Sequence, residues 1–167
     1  ELLEEKFHGV KHIQAYATKA GIIKTKDEIL GTILKGVGND FDPSFFNQNL
    51  VEGEVPIYND TITSNRVLIS KSIANLLQLK LNDNLIMYFI NKPPRVRKFT
   101  IAGIYETGFS DFDDLMVIGD IQHIQKLNGW QSGQVGGFEI TIDNFQDLES
   151  LTSKVYEQID YNLNAYS

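Results

Sequence analysis

The chain has 167 residues, of which 42% are hydrophobic and 22% are charged, a composition typical of a folded globular protein. Its formal net charge of -7, from 22 acidic and 15 basic residues, argues against a nucleic-acid-binding protein because no general basic face could neutralise phosphates. It contains no cysteine, which excludes disulfides, zinc-thiolate sites and iron–sulfur clusters. The longest apolar run is Leu85–Ile90, much shorter than the roughly twenty residues of a transmembrane helix.

The first part of the chain changes from a helical to an alternating pattern. Residues 1–7 have apolar positions at helical spacing and predict a short amphipathic helix. From Lys11 the apolar residues repeat every second position, which predicts two strands joined by the polar turn Thr25–Asp27. One or two helical turns are expected around Phe45. The turn-rich stretch 55–64 is the best candidate for a boundary between subdomains.

The middle of the chain predicts a strand, a helix and a hairpin. Ser70 follows the strand Arg66–Ile69 and is a candidate N-cap for the helix after it. Leu85–Ile90 and Val96–Tyr105 read as two further strands. The two prolines of Asn91–Arg95 exclude a central strand, and they indicate a hairpin tip or a sheet edge.

The last part of the chain predicts two strand–helix units. The strand 115–118 leads into a helix that Asp120 caps and Gly129 ends. The alternating strand 137–143 is followed by a second helix, and a closing strand at 161–166 completes a β-α-β unit. The positions of strand 137–143 expected to face a core are Phe138, Ile140 and Ile142. The whole pattern predicts an α+β fold.

Motifs for catalysis are sparse. Gly36–Gly38 lacks the third glycine of a phosphate-binding loop, and no Gly-Lys-Ser/Thr sequence occurs. The acidic residues Asp111, Asp113 and Asp114 lack the glycine and the closing glutamate of a calcium loop. His123 lies among polar positions of its helix and is expected at the surface. We therefore predict no enzyme activity, cofactor or metal site; the alternative is a soluble binding module or small hydrolase that uses these three aspartates and His123.

One basic segment departs from the acidic background. Four cations lie within seven residues beside the pair Pro93–Pro94. A solvated hairpin is one reading, and a docking surface for a partner is the other, because prolines reduce the conformational entropy lost on binding and arginine supplies contact area and hydrogen bonds. The candidate partner-binding residues are Asn91, Lys92, Pro93, Pro94, Arg95, Val96, Arg97 and Lys98.

The ends of the sequence predict that it is a piece of a longer protein. It begins with Glu1 instead of a methionine, and it stops directly after the predicted strand 161–166.

The segment Val67–Asp83 (VLISKSIANLLQLKLND) resembles the extracytoplasmic domain of FtsX-like ABC transporter permeases, especially the LolC/LolE lipoprotein-release type and the related MacB periplasmic core. Asn82 stands where that family usually has glycine, but asparagine also tolerates the left-handed conformation. Further segments that agree in order and spacing are 20–24, 31–37, 50–53, 97–108 and 138–142.

The resemblance implies a bipartite MacB-like fold. Residues 1–56 and 138–167 would form a porter-like α+β subdomain, and residues 57–137 would form an inserted, β-rich, sabre-like subdomain that carries the tip 91–96. In the full protein one transmembrane helix would precede the chain and three would follow it. The cytoplasmic ATPase would be a separate subunit, and the domain itself would perform no chemistry.

The resemblance also implies a function. It suggests the periplasmic domain of an inner-membrane permease in a Gram-negative bacterium, coupling ATP hydrolysis to lipoprotein release. Its partners would be a second permease copy or paralogue and a periplasmic lipoprotein carrier or lipoprotein cargo. The tip 91–96 lies where that branch has a carrier-binding hook, although it is shorter and more basic. The alternatives within this class are MacB-type efflux and FtsX-type mechanotransmission to a periplasmic client.

Overall fold

The computed structural model describes residues 9–158 and residue 165. The predicted helix over 1–7 and the predicted closing strand at 161–166 lie outside the described residues. The described strands are β1 (Val10–Lys24), β2 (Ile29–Val37), β3 (Leu50–Gly53), β4 (Arg66–Ser70), β5 (Asn84–Phe89), β6 (Arg95–Tyr105), β7 (Met116–Asp120) and β8 (Gly137–Ile142). The helices are α1 (Ser44–Gln48), α2 (Lys71–Leu77), α3 (Ser110–Asp113), α4 (Ile121–Asn128) and α5 (Leu148–Gln158), with a 3-10 turn at Phe145–Asp147 before α5.

Contacts divide the chain into two compact units. The smaller unit comprises residues 1–14 and 138–167, and the larger unit comprises residues 15–137. The sequence placed the first boundary at residues 56 and 57, and its assignment of porter-like and sabre-like subdomains stays a prediction. Within the larger unit the two ends of the segment are neighbours, because the backbone N–H of Gly136 donates to the carbonyl oxygen of Tyr16 at 2.8 Å.

Six strands of the larger unit form a closed barrel. Their order is β2-β7-β4-β6-β5-β1, and β1 also pairs with β2, so the ring has no free edge. The short strand β3 is not one of these six strands, but it pairs with β6. The long β1–β2 hairpin confirms the alternation seen in the sequence, whereas the four-residue strand β3 was not predicted.

The barrel consists of two halves with the same arrangement. In each half a hairpin (β1–β2 or β5–β6) is followed by a strand and a helix (β4 and α2, or β7 and α4). The hairpin strand β2 pairs in parallel with β7, and β6 pairs in parallel with β4. β4 and β7 pair antiparallel, with Leu68 opposite Ile118 and Ile69 opposite Val117. The pairings thus have an approximate two-fold relation about the β4–β7 contact.

The predicted helix caps are present in both halves. The hydroxyl oxygen of Ser70 accepts from the backbone N–H of Ile73 at 3.0 Å, and the carboxylate of Asp120 accepts from that of Gln122 at 2.9 Å. Each cap thus satisfies a backbone donor in the first turn of its helix. Asn82 has a positive φ of 68°, which agrees with the expectation that asparagine replaces a glycine at this turn.

Most of the apolar core lies inside the barrel and under the two long helices of the larger unit. Leu34, Ile69, Met87, Phe99 and Ile101 are among its fully buried members. Trp130 is partly buried and packs against the same cluster.

Helix α4 lies very close to strand β2. A Cβ added to Gly36 would come within 2.6 Å of the Cα of Ile121, so the absence of a side chain at Gly36 permits the contact.

The smaller unit contains the start of β1, strand β8 and helix α5. The side-chain amide of Gln14 donates to the Glu139 carboxylate at 2.9 Å. Leu151 and Val155 of α5 are buried. The expectation that Phe138 faces a core is wrong, because its side chain is 60% exposed. No helix among residues 9–158 is both long enough and apolar enough to span a membrane.

Candidate partner-binding site

The basic segment forms the end of the β5–β6 hairpin. Phe89 lies opposite Arg95 and Tyr88 lies opposite Val96, so residues 90–94 make the connection between the strands. The predicted hairpin tip is therefore present. Alternate residues of β5, Leu85, Met87 and Phe89, point into the barrel core and are buried.

Asn91 attaches the tip to the body of the larger unit. Its side-chain amide donates to the carbonyl oxygen of Leu127 at 2.8 Å, near the end of α4. Its backbone N–H donates to the carbonyl of Phe89 at 2.9 Å. Carbonyl groups in the last turn of a helix have no partner within the helix, so Asn91 serves the fold and positions the residues after it.

The other candidate residues divide by exposure. The side chains that are exposed are those of Lys92, Pro93, Pro94, Arg95, Val96 and Lys98. Arg97 is half-buried, and its guanidinium donates to the carbonyl oxygen of Val96 at 2.9 Å. Lys92, Arg95 and Lys98 make no salt bridge within the described part of the chain. The preceding residue, Ile90, is 86% exposed. The tip therefore presents unpaired cations beside apolar surface, and the partly buried Asn91 attaches it to the body of the unit.

His123 lies close to the base of this hairpin and is not a surface residue. Only 5% of the residue is exposed, and its ring meets Phe99 edge to face with centroids 4.9 Å apart. Its Nε2 lies 2.8 Å from the carbonyl oxygen of Ser64. Because a carbonyl only accepts, Nε2 carries the proton. The segment 59–64 covers this side of α4, which is why the polar positions around His123 misled the sequence prediction.

The environment of His123 favours its neutral form. Burial is the largest effect and lowers the pKa, and the nearby cations Arg97 and Lys126 lower it further. The hydrogen bond to Ser64 and the carboxylate of Asp120 act in the opposite direction, but the net change is downward. Nδ1 is buried and has no hydrogen-bond partner within the described ranges.

The acidic residues of the alternative hypothesis, Asp111, Asp113 and Asp114, lie in a loop in which Asp113 accepts hydrogen bonds from the loop's own backbone. The carboxylate of Asp113 accepts from the backbone N–H groups of Thr107 and Gly108 and, at 2.7 Å, from the Thr107 hydroxyl. Asp114 accepts from the Ser72 hydroxyl at 2.5 Å. Asp111 is exposed. These carboxylates and His123 thus have separate partners, and residues 9–158 hold no cluster of three potential metal ligands.

Comparison with known proteins identifies the fold. No family model and no curated protein matches the sequence. The extracellular domain of the noncanonic ABC-type transporter YknZ from Gram-positive bacteria has a similar structure, with a TM-score of 0.65 and 15% identity over 92% of this chain and 76% of that chain. The periplasmic region of MacB from Actinobacillus actinomycetemcomitans has a TM-score of 0.58 and 17% identity over 93% of this chain and 70% of that chain. The chain therefore has the α+β fold of MacB-like extracytoplasmic domains of ABC transporters.

Proposed function

We propose that this chain is the extracytoplasmic domain of an ABC transporter permease. The observation that carries the proposal is the fold, which matches the YknZ domain over 92% of the chain. In this role the domain performs no chemistry. It responds to ATP hydrolysis by a separate cytoplasmic subunit through membrane segments of the full protein, and it acts on partners outside the membrane.

We further propose that the permease is of the LolC/LolE lipoprotein-release type, in the inner membrane of a Gram-negative bacterium. The sequence resemblance over Val67–Asp83 supports this type. In the full transporter the domain would work beside a second permease copy or a paralogue. The tip of the β5–β6 hairpin would bind the periplasmic carrier that receives the lipoprotein. The unpaired cations Lys92 and Arg95 support this role, because cations at an interface rim attract a partner of opposite charge.

Crosslinking in living cells tests the proposal. A photo-crosslinking amino acid replaces Arg95 in the full-length protein, and the trapped partner is identified by mass spectrometry. Asp111 is the matched control position, because it is also exposed and lies in the same unit. We expect capture of a periplasmic lipoprotein carrier from position 95 and not from position 111.

Two other results would contradict parts of the proposal separately. Capture of a membrane-fusion protein or a cell-wall hydrolase at position 95 would keep the permease and replace lipoprotein release by MacB-type efflux or FtsX-type mechanotransmission. The absence of a copurifying ATPase subunit from the full-length protein, extracted in mild detergent, would contradict the permease itself.

A further inference from the structure

A second exposed surface lies on the side of the barrel. The strands β2, β1, β5 and β6 are neighbours in that order. Ile22 on β1 is level with Gly31 on β2 and with Tyr88 on β5, and Tyr88 is level with Val96 on β6. These residues form a row across four strands. We term the outward-pointing side chains of these strands the outer face.

The outer face is apolar and contiguous. Along the row Tyr88 is 40% exposed and Val96 is 47% exposed. Beside the row Ile29 is 67% exposed and Ile86 is 38% exposed. Scattered apolar residues are normal on a protein surface, whereas contiguous ones indicate an interaction site. The absence of a side chain at Gly31 makes a notch in the row, since a Cβ there would meet no atom within 4 Å.

The charges of the outer face have one sign. Lys24 is level with Ile29, and Lys98 is level with Ile86. Both lysines are exposed and make no salt bridge with any described residue. The outward positions of the four strands, within 18–24, 29–35, 84–88 and 96–100, include no Asp or Glu. The chain as a whole has a net charge of -7, so this face is positive on an acidic protein and disfavours a second copy of the chain as its partner.

A cavity lies next to the outer face, where β1 and β5 are no longer paired. Among the described residues these strands pair at Ile22–Tyr88 and Ile23–Met87, and the cavity beyond these pairs has a volume of about 350 Å³. Its lining combines Leu85, which points into the core, with Lys24 and Ile86 of the outer face. The outer face therefore has a depression beside Lys24.

The two lysines lie on either side of Ile86 on the outer face. Lys24 belongs to β1, Ile86 to β5 and Lys98 to β6, and Lys98 is level with Ile86. An apolar surface with unpaired cations beside it is complementary to a partner that carries an apolar stripe beside acidic residues. We propose that the outer face binds an amphipathic helix of another protein, with an apolar stripe over the row and acidic residues facing Lys24 and Lys98.

This inference goes beyond the proposed function, because the helix occupies the side of the hairpin at Val96 and Lys98, whereas the carrier is assigned to the end of the hairpin around Lys92 and Arg95. The two proposals can also be contradicted independently of each other. Loss of crosslinking at Arg95 leaves helix binding untouched, and loss of helix binding leaves the tip free to bind a carrier.

Two synthetic peptides test the proposal on the 167-residue chain. Each is about 18 residues long, roughly five helical turns, with a leucine stripe; one has glutamate at the two flanking positions and the other has lysine there. Binding is measured by fluorescence anisotropy, and the site is located from amide chemical shifts. We expect the glutamate peptide to bind at least about tenfold more tightly, with shifts at Ile22, Gly31, Tyr88 and Val96.

Gly31 allows a matched pair of variants, since the space around it accepts a side chain. Gly31→Glu and Gly31→Gln differ in charge and hardly in shape. We expect Gly31→Glu to bind the glutamate peptide about tenfold more weakly than Gly31→Gln.

Equal binding of the two peptides, equal binding by the two variants, or shifts confined to residues 91–95 would overturn the proposal. Vesicles of phosphatidylcholine and phosphatidylglycerol provide a final comparison. If they bind at the same residues and displace the glutamate peptide, the face belongs to an anionic membrane surface and the proposal is wrong.

Discussion

Asp113 illustrates how a motif of acidic residues can serve the backbone. Its exposed neighbours Asp111 and Asp114 suggest a site for a cation or for acid–base chemistry when only the sequence is considered. In the structure Asp113 is 7% exposed, and its carboxylate accepts from two backbone N–H groups and the hydroxyl of Thr107. It therefore holds the loop between β6 and β7 in place.

We expect Asp113→Ala to lower the free energy of unfolding by about 2 kcal/mol or more, because hydrogen bonds to a charged acceptor are lost and their donors are left without a partner. Asp111→Ala, at an exposed position nearby, is the control and should change stability by less than about 0.5 kcal/mol. Urea denaturation measures both. Equal effects would show that the loop does not depend on Asp113.

His123 makes stability depend on pH. Its pKa is lowered in the folded state, so the unfolded chain binds a proton more readily than the folded chain as the pH falls below about 6.5. Its contribution is therefore fully present above that pH and is lost as the pH falls toward the lowered pKa of the folded state.

We expect His123→Gln, which keeps a donor for the Ser64 carbonyl, to flatten the pH dependence of the unfolding free energy between pH 7 and 5. One titrating group changes this slope by at most about 1.4 kcal/mol per pH unit. Urea titrations of both proteins at several pH values provide the comparison. A wild-type slope that the substitution leaves unchanged would contradict the assignment.

At the scale of elements, strand β2 contains two glycines with opposite surroundings. Gly36 lies under helix α4, where a Cβ would approach the Cα of Ile121 within 2.6 Å, whereas Gly31 faces open space. Packing of helix α4 against strand β2 thus depends on Gly36 and not on Gly31.

We expect Gly36→Ala to destabilise the protein by about 1–3 kcal/mol, because the helix must move away from the strand. Gly31→Ala should be neutral or slightly stabilising, since alanine reduces the entropy of the unfolded chain. Thermal unfolding of the two variants tests this contrast. Similar melting temperatures would mean that α4 adjusts to the added methyl group without loss of packing.

Patterns of neighbouring residues in the sequence predicted the hairpin and the helix caps, because these features depend on residues close together in the chain. The β5–β6 hairpin followed from two apolar strand segments on either side of two prolines, and the caps Ser70 and Asp120 followed from their positions before apolar helical stripes. Strand β3 was missed because four residues with one partly buried side chain have no clear period. The burial of His123 was missed because the segment that covers it, 59–64, is distant in sequence.

The candidate sites were predictable to different degrees. The four cations of the tip lie within seven residues of the sequence, so local composition alone indicates them. The outer face combines Ile29, Lys24, Tyr88 and Val96, which become neighbours only when β1 pairs with β5 and closes the barrel. A surface of this kind depends on strand order, which one sequence does not specify.

At the scale of the larger unit, the two halves of the barrel depend on each other. Among the described strands, β4 pairs with β6 and β7 only, and β7 pairs with β2 and β4 only. The first half therefore holds a strand whose partners all lie in the second half. The two helix-capping residues also form hydrogen bonds with the other half. The hydroxyl of Ser70 donates to the carbonyl oxygen of Asp113, and the carboxylate of Asp120 accepts from the backbone N–H of Ser64.

We expect the fragments 1–80 and 81–167 to be unfolded when they are expressed separately. In the first fragment β4 lacks its partners β6 and β7, and in the second fragment β7 lacks its partners β2 and β4. Mixing the two fragments should restore a folded complex. Amide hydrogen exchange on each fragment and on the mixture measures this. A fragment that protects its own amides without its counterpart would show that the halves fold independently.

The hydrogen bond between Gly136 and Tyr16 also bears on how such a protein gains or loses parts. The chain enters the larger unit beside the point at which it leaves, so removal of residues 17–135 would leave two ends that already touch. A segment of this size can therefore be inserted at this point of a protein without moving the backbone on either side of the insertion. The same junction is a natural place for exchanging one barrel for another, by recombination or in the laboratory.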